Sequence, residues 1–179
     1  SSAKEEKRIN IKEVSPAEII SVAVRRGECA VIAEAEGTGI FTGISRVTVA
    51  VATGDLEGSV AKGRAEDFAG LLNDEAVIKY GYDLKYQKNI LSSNGLDLCG
   101  RLMDIELMHY LIDPEKSHKI DILARSYLDV SIENSIETAE EEQLSLFDEV
   151  TEESDSSDRF AEAAAISILG KIIRKDLVE

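Results

Sequence analysis

Glu34 and Glu36 are the first residues of this sequence whose type and spacing suggest chemistry. They close the run Cys29-Ala30-Val31-Ile32-Ala33-Glu34-Ala35-Glu36, and residues two apart on a strand point to one face. Two carboxylates aimed together can begin a site for a hard divalent cation, which needs several such oxygens at once. They are equally the solvated end of a strand. His109 and His118 do not read as metal ligands, since neither has a second His or Cys at ligand spacing. Cys29 and Cys99 stand far apart without CxxC spacing and read as buried thiols, not as a disulfide or zinc pair. Lys79, Lys85 and Lys88 offer phosphate contacts, or else the solvated face of a helix and its approach.

The elements that must carry these residues follow from pattern and punctuation. Residues 1–10 are polar and read as a tail. Ser15-Pro16-Ala17-Glu18 is a helix start with a capping serine, a proline at the first position and a glutamate placed for a capping box. That helix ends near Gly27, with Arg25 and Arg26 in its last turn. Strands are expected at Cys29 to Glu36, Ile40 to Val51 and Ser59 to Lys62, joined as hairpins, with a turn at Gly54-Asp55. Helical pattern then covers Glu66 to Asn73, a buried strand Ala76 to Tyr80, and a helix Leu84 to Ser93 stopped by Asn94-Gly95. Further helices are expected from Asp104 to Ile112, from Ile120 to Tyr127, and from about Asp155 to Leu177. In the last of these, Phe160, Ala164, Ile168 and Ile172 form one stripe. Strands by hairpin, then alternating strand and helix, then helices, make an α/β domain around one mixed sheet.

A chain of 179 residues suits one well-buried domain. The charged start lacks the apolar core of a signal peptide, and no apolar run approaches the roughly 20 residues of a membrane span. A cytoplasmic location is expected. The net charge of −15 is uneven: the segment from Ser126 to Asp158 holds twelve acidic residues and no Lys or Arg. Residues 134–154 within it are acidic and serine-rich around the island Leu144-Ser145-Leu146-Phe147, and read as a mobile insertion. A free-standing nucleic-acid binder carries a basic excess, because phosphate neutralisation supplies most of its affinity. This chain has none and is expected to bind DNA weakly or not at all by itself.

Three neighbouring stretches carry a family resemblance. Tyr82-Asp83-Leu84-Lys85-Tyr86-Gln87-Lys88-Asn89-Ile90-Leu91, followed by Asn94-Gly95-Leu96-Asp97-Leu98-Cys99-Gly100, is similar to N-x-K-Y-D-x-x-x-L and Y-G-I-x-L-x-G. Met103-Asp104-Ile105-Glu106-Leu107-Met108-His109-Tyr110-Leu111-Ile112-Asp113-Pro114 resembles F-D-T-x-L-x-x-Y-L-L-x-P. His118-Lys119-Ile120-Asp121-Ile122-Leu123-Ala124-Arg125-Ser126-Tyr127-Leu128 resembles H-x-x-D-x-L-A-x-x-Y-L. Together they resemble the 3′–5′ exonuclease-type domain of bacterial family A DNA polymerases (DNA polymerase I). The resemblance implies a ribonuclease H-like fold, a mixed sheet flanked by helices, over residues 11–179. It also implies removal of 3′-terminal nucleotides with two divalent ions, which in such sites lie about 3.5–4 Å apart.

The family's ligand positions are altered here. Glu34-Ala35-Glu36 stands at the family's Asp-x-Glu, so Glu34 is one methylene longer than the expected aspartate. Gln87 stands where the second motif has its aspartate, and Phe160 and Ala164 align with Tyr-x-x-x-Asp on the last helix. Glu162 could supply a missing ligand through a register shift, although three residues along a helix should send its side chain elsewhere. The resemblance therefore implies a vestigial site with no catalytic residue, no resident metal and no other cofactor; Glu34 and Glu36 are the weak candidates for an ion. Magnesium or manganese is expected only if residual exonuclease activity exists. The implied role is a scaffold for the adjoining polymerase domain of the same chain, meeting DNA through the intact polymerase, with no membrane partner and a monomer as the default. Two alternatives stand beside it: a residual exonuclease using Glu34, Glu36 and Glu162, and a protein-docking role for the acidic segment.

Overall fold

Ser15 begins the first helix as its position predicts: its Oγ accepts from the Glu18 N–H at 3.2 Å, with Pro16 following. In the computed structural model, which describes residues 7–36, 46–132 and 153–178, this helix α1 spans Pro16–Arg26. It ends on Gly27, whose φ of 73° is the left-handed conformation that glycine adopts freely. Strand β1 (Asn10–Glu13) precedes it, and β2 (Glu28–Glu36), β3 (Arg46–Gly54) and β4 (Glu57–Arg64) follow. A 3₁₀ turn, Ala65–Phe68, leads into α2 (Ala69–Leu72), then β5 (Ile78–Gly81) and α3 (Leu84–Ser93). Strand β6 (Leu102–Asp104) runs directly into α4 (Ile105–Ile112), followed by α5 (Ile120–Leu128) and α6 (Glu153–Val178).

The six strands form one mixed sheet in the order β1-β4-β3-β2-β5-β6. Strands β2, β3 and β4 pair antiparallel, while β1 on β4, β5 on β2 and β6 on β5 are parallel. The α/β mixed sheet flanked by helices is thus the observed architecture. Alternation along the strands divides the core in two. Cys29, Val31, Ala33, Val47, Val49 and Val51 pack with α1, α2 and α3 on one face. Ala30, Ile32, Ala50 and Ala52 face α6 on the other. Small residues meet there from both sides, because α6 contributes Ala161, Ala163, Ala164 and Ala165, all buried. Helix and sheet can then approach closely, and close packing maximises dispersion contacts.

Four features depart from the pattern reading. The chain enters the domain earlier than its polar start suggests: Ile9 is buried, Lys7 bridges Val130, and Asn10 opens β1. Strand β6 has only three residues, too few to show a period, and its edge position leaves it only half-buried. The helix expected from Glu66 begins one residue earlier as a 3₁₀ turn. Finally, α6 is buried nearly all round between Ala161 and Ile173, since it lies between the sheet and the layer of α4 and α5. Most of the acidic insertion expected at 134–154, and the first part of the strand expected from Ile40, lie outside the described residues; Glu153 and Ser154 already belong to α6.

Asp104 explains why one framework motif has its residue type. Its Oδ1 accepts from the Glu106 and Leu107 N–H groups at 3.0 and 3.3 Å, capping α4. Its Oδ2 accepts from the Leu84 N–H at 2.8 Å, so one carboxylate also satisfies the start of α3. Asp83 caps α3 from a left-handed backbone (φ 53°), a conformation that aspartate tolerates better than most residues.

Candidate functional site

Strands β2 and β5 run parallel, so their C-terminal ends meet at one edge of the sheet. The start of α3 follows β5 there, and the starts of α5 and α6 cover the same edge. Between them lies an open cleft of about 530 Å³, lined among others by Glu34, Tyr82, Gln87, Asp121, Arg159 and Glu162.

Arg159 organises the cleft. Its guanidinium forms an ion pair with Glu34 Oε1 and a second, at 2.9 Å, with Glu162 Oε2. One planar cation thus ties the end of β2 to the first described side chains of α6. The three side chains are 30–33% exposed, so solvent screens the pairs and their contribution to stability is modest. They also lower the charge of the cleft, because one guanidinium offsets half of the charge of the two carboxylates.

Gln87 is buried, and both ends of its amide are hydrogen-bonded. Its Oε1 accepts from the Ala33 N–H at 3.0 Å, and its Nε2 donates to the Tyr82 carbonyl at 2.9 Å. A carboxylate at this position would lose the donor and face the Tyr82 carbonyl with like partial charge. The Tyr82 phenol is pushed up from its ordinary range by burial and then by Glu106, Asp104, Asp83 and Asp121, which keeps it a proton donor.

The sequence-derived site residues distribute unevenly. Glu34 and Gln87 line the cleft, and Glu36, Phe160 and Ala164 do not. Glu36 is exposed, opposite Arg46 and roughly 7 Å further along the strand than Glu34. Phe160 is partly buried and packs against the core, and Ala164 is buried, its carbonyl accepting from Ser167 Oγ at 2.7 Å. The helix face turned to the cleft carries Arg159, Glu162 and Ile166 instead, because one residue of offset rotates a helix by about 100°. Glu162 therefore enters the site, contrary to the direction expected from its spacing. Arg159 was missed altogether; its one sequence signal was the i, i+3 spacing to Glu162. Lys79 is neither solvated nor free for phosphate: it is fully buried and donates to the carbonyls of Asp74 and Cys99.

The two divalent ions that such a domain implies do not fit these residues. Glu34 and Glu162 are held by a guanidinium, the Gln87 oxygen is used by Ala33, and Phe160 and Ala164 offer no oxygen ligand to the cleft. No group of three or more His, Cys, Asp or Glu positioned for a metal occurs among the described residues. Nor is any helix among them long and apolar enough to cross a membrane.

A histidine pair lies next to the cleft lining in sequence. His109 Nδ1 and His118 Nδ1 lie 2.6 Å apart, so one ring donates a proton to the other. His118 directly precedes Lys119 and Asp121 of the cleft lining. Tyr110, Tyr127, Asp113 and Lys116 surround the pair, and Asp176 of α6 faces Tyr127. Burial first, and then His118, hold the His109 pKa below its usual value. A depressed folded pKa means that the unfolded chain binds the proton more readily. The stability so contributed is present above pH about 6.5 and is lost as pH falls below it. The urea midpoint of the domain is therefore expected to fall relative to His109→Gln between pH 7 and 5, and parallel pH profiles for the two proteins would refute the assignment.

Comparison with known proteins agrees with this fold. The family described as DNA polymerase I, ribonuclease H-like domain, matches residues 48–138, more than half of the 179-residue chain. Among solved structures, Brucella melitensis NrnC with bound Mg2+ superposes with a TM-score of 0.64 at 15% identity, over 96% of this chain and 81% of that one. Trypanosoma brucei RNase D gives 0.64 at 13% identity, over 93% and 65%. The POL domain of Pol1 from M. smegmatis, in complex with a DNA primer-template and dNTP, gives 0.61 at 16% identity. The present chain is 94% covered in that comparison but spans only 28% of the Pol1 chain. At these identities the structures speak to fold alone. No curated protein sequence gives a significant match. The three contiguous motifs, the six-stranded mixed sheet and the family match converge: the chain belongs to the ribonuclease H-like domain family of DNA polymerase I.

Proposed function

We propose that residues 11–179 form a vestigial 3′–5′ exonuclease domain that scaffolds an adjoining polymerase domain of the same chain. The observation that carries this reading is the Glu34–Arg159–Glu162 ion triad, in which a guanidinium occupies the carboxylate that aligns with the family's first ligand. The framework residues around it are retained for structural reasons, as the double capping by Asp104 illustrates. In this reading DNA is met through the whole polymerase, the fragment alone is monomeric and binds DNA weakly, and no metal or other cofactor is resident. The role belongs to replication or repair in a bacterial cytoplasm.

A residual exonuclease is the second reading, and one observation favours it: Glu162 shares the cleft with Glu34. The test is digestion of a 5′-labelled oligonucleotide with a 3′ mismatch, in magnesium or manganese and in chelator. The scaffold reading expects no metal-dependent shortening. Stepwise shortening that is lost on Glu34→Ala would overturn it and establish the second reading.

A further inference from the structure

Resting on the reading of the cleft as a former cation site, we propose that Arg159 is a tethered cation that excludes divalent ions from it. The two carboxylates it bridges come from distant parts of the chain, β2 and α6, and the guanidinium lies between them. Among the described residues, Lys119 of the connector and Asp121 of α5 complete the charged lining. Three carboxylates against two basic side chains leave the lining close to neutral with Arg159 present. A divalent ion added to that set would make it positive, and it would have to displace a cation already in contact with both carboxylates. Without Arg159 the described lining residues hold three carboxylates against one lysine, a balance that a divalent ion neutralises. Glutamate oxygens brought to a single cation from two elements are the donors that such hard ions prefer. The exclusion therefore resides in one side chain, and the remaining residues retain a latent weak site.

The test uses the whole domain and Mn2+ as the probe, read by paramagnetic broadening of the Tyr82 and Tyr86 ring resonances at the cleft. This local readout separates the cleft from diffuse binding to the acidic segment. Arg159→Met is expected to gain saturable broadening at a Mn2+ concentration roughly tenfold below any seen in the parent, since a charge in direct contact is removed. Arg159→Lys keeps the charge and is expected to behave as the parent. The gain in Arg159→Met is expected to vanish when Glu34→Gln is added. Arg159→Gln carries the same expectation as Arg159→Met and serves if that variant does not fold. Neutral variants that bind Mn2+ at the cleft no more tightly than the parent would overturn the proposal. Its failure is distinguishable from failure of the scaffold reading: metal-dependent shortening by the parent overturns the latter whatever Mn2+ does in the variants. Absence of the Mn2+ gain overturns only the tethered cation.

Discussion

Gly170→Ala is expected to destabilise the domain by about 2–4 kcal/mol, although alanine is by itself the better helix former by roughly 1 kcal/mol. Gly170 lies in the buried part of α6, and a Cβ there would stand 2.4 Å from two ring carbons of Tyr80 and 2.8 Å from its Cβ. These atoms belong to the stem of the side chain, not to a flexible end. The ring cannot swing away either, because the Tyr80 hydroxyl donates to Glu28 at 3.1 Å and receives the Arg174 guanidinium at 3.3 Å. The helix must therefore lift from the sheet, loosening the alanine contact along its length. For a domain of this size the loss corresponds to a fall in melting temperature of about 5–10 °C. Gly70→Ala is the control: nothing lies within 4 Å of a Cβ there, so that variant should be neutral or slightly more stable. Calorimetry of the two variants decides the matter, and equal melting temperatures would show that α6 and Tyr80 accommodate the methyl group freely.

Lys79→Ala should be at least as damaging, at about 3–5 kcal/mol, for a different reason. The side chain is fully buried beside Cys29, its partner in the parallel register of β2 and β5. Its ammonium donates to the Asp74 carbonyl and, at 2.7 Å, to the Cys99 carbonyl, joining the turn before β5 to the loop before β6. Burial lowers its pKa, opposed by the neighbouring Cys29. Truncation opens a cavity and strips both carbonyls of their donor. Lys79→Met keeps the volume and loses only the donor, so its expected cost is smaller, on the order of 1–3 kcal/mol. Denaturant midpoints that rank Lys79→Met with the parent would mean that the ammonium contributes little and that the side chain is retained for its volume.

The legible elements share a feature: each begins or ends on a residue whose own chemistry sets the boundary. The end of α3 was legible through Asn94-Gly95, and in the structure Asp83 caps its start. Helix α1 was legible through Ser15, Pro16 and Gly27. The β2 and β3 hairpin was legible through its β-branched and alternating run, and β4 through the turn that precedes it. The expectations that shifted lacked such local marks. Strand β6 is too short for a period, and the buried Lys79 resembles any surface lysine until both loops close over it. Phe160 and Arg159 are adjacent in sequence, yet only one of them can face the cleft. A helix turns about 100° per residue, which sends the two side chains in different directions.

By itself, the sequence determined the two-faced strands, the helices with capped ends, and the small residues that let α6 lie close to the sheet. These follow from periodicity, backbone preference and side-chain size, all of which act between near neighbours. It also carried the family motifs and the altered residues at Glu34 and Gln87. Only the tertiary structure decided that Glu34 of β2, Gln87 of α3, Asp121 of α5 and the Arg159–Glu162 pair of α6 share one cleft. The parallel pairing of β2 with β5 and the crossing of α6 over the sheet bring those ends together. An ion pair between residues so distant in the chain has no local signature, since its geometry exists only once those elements are packed.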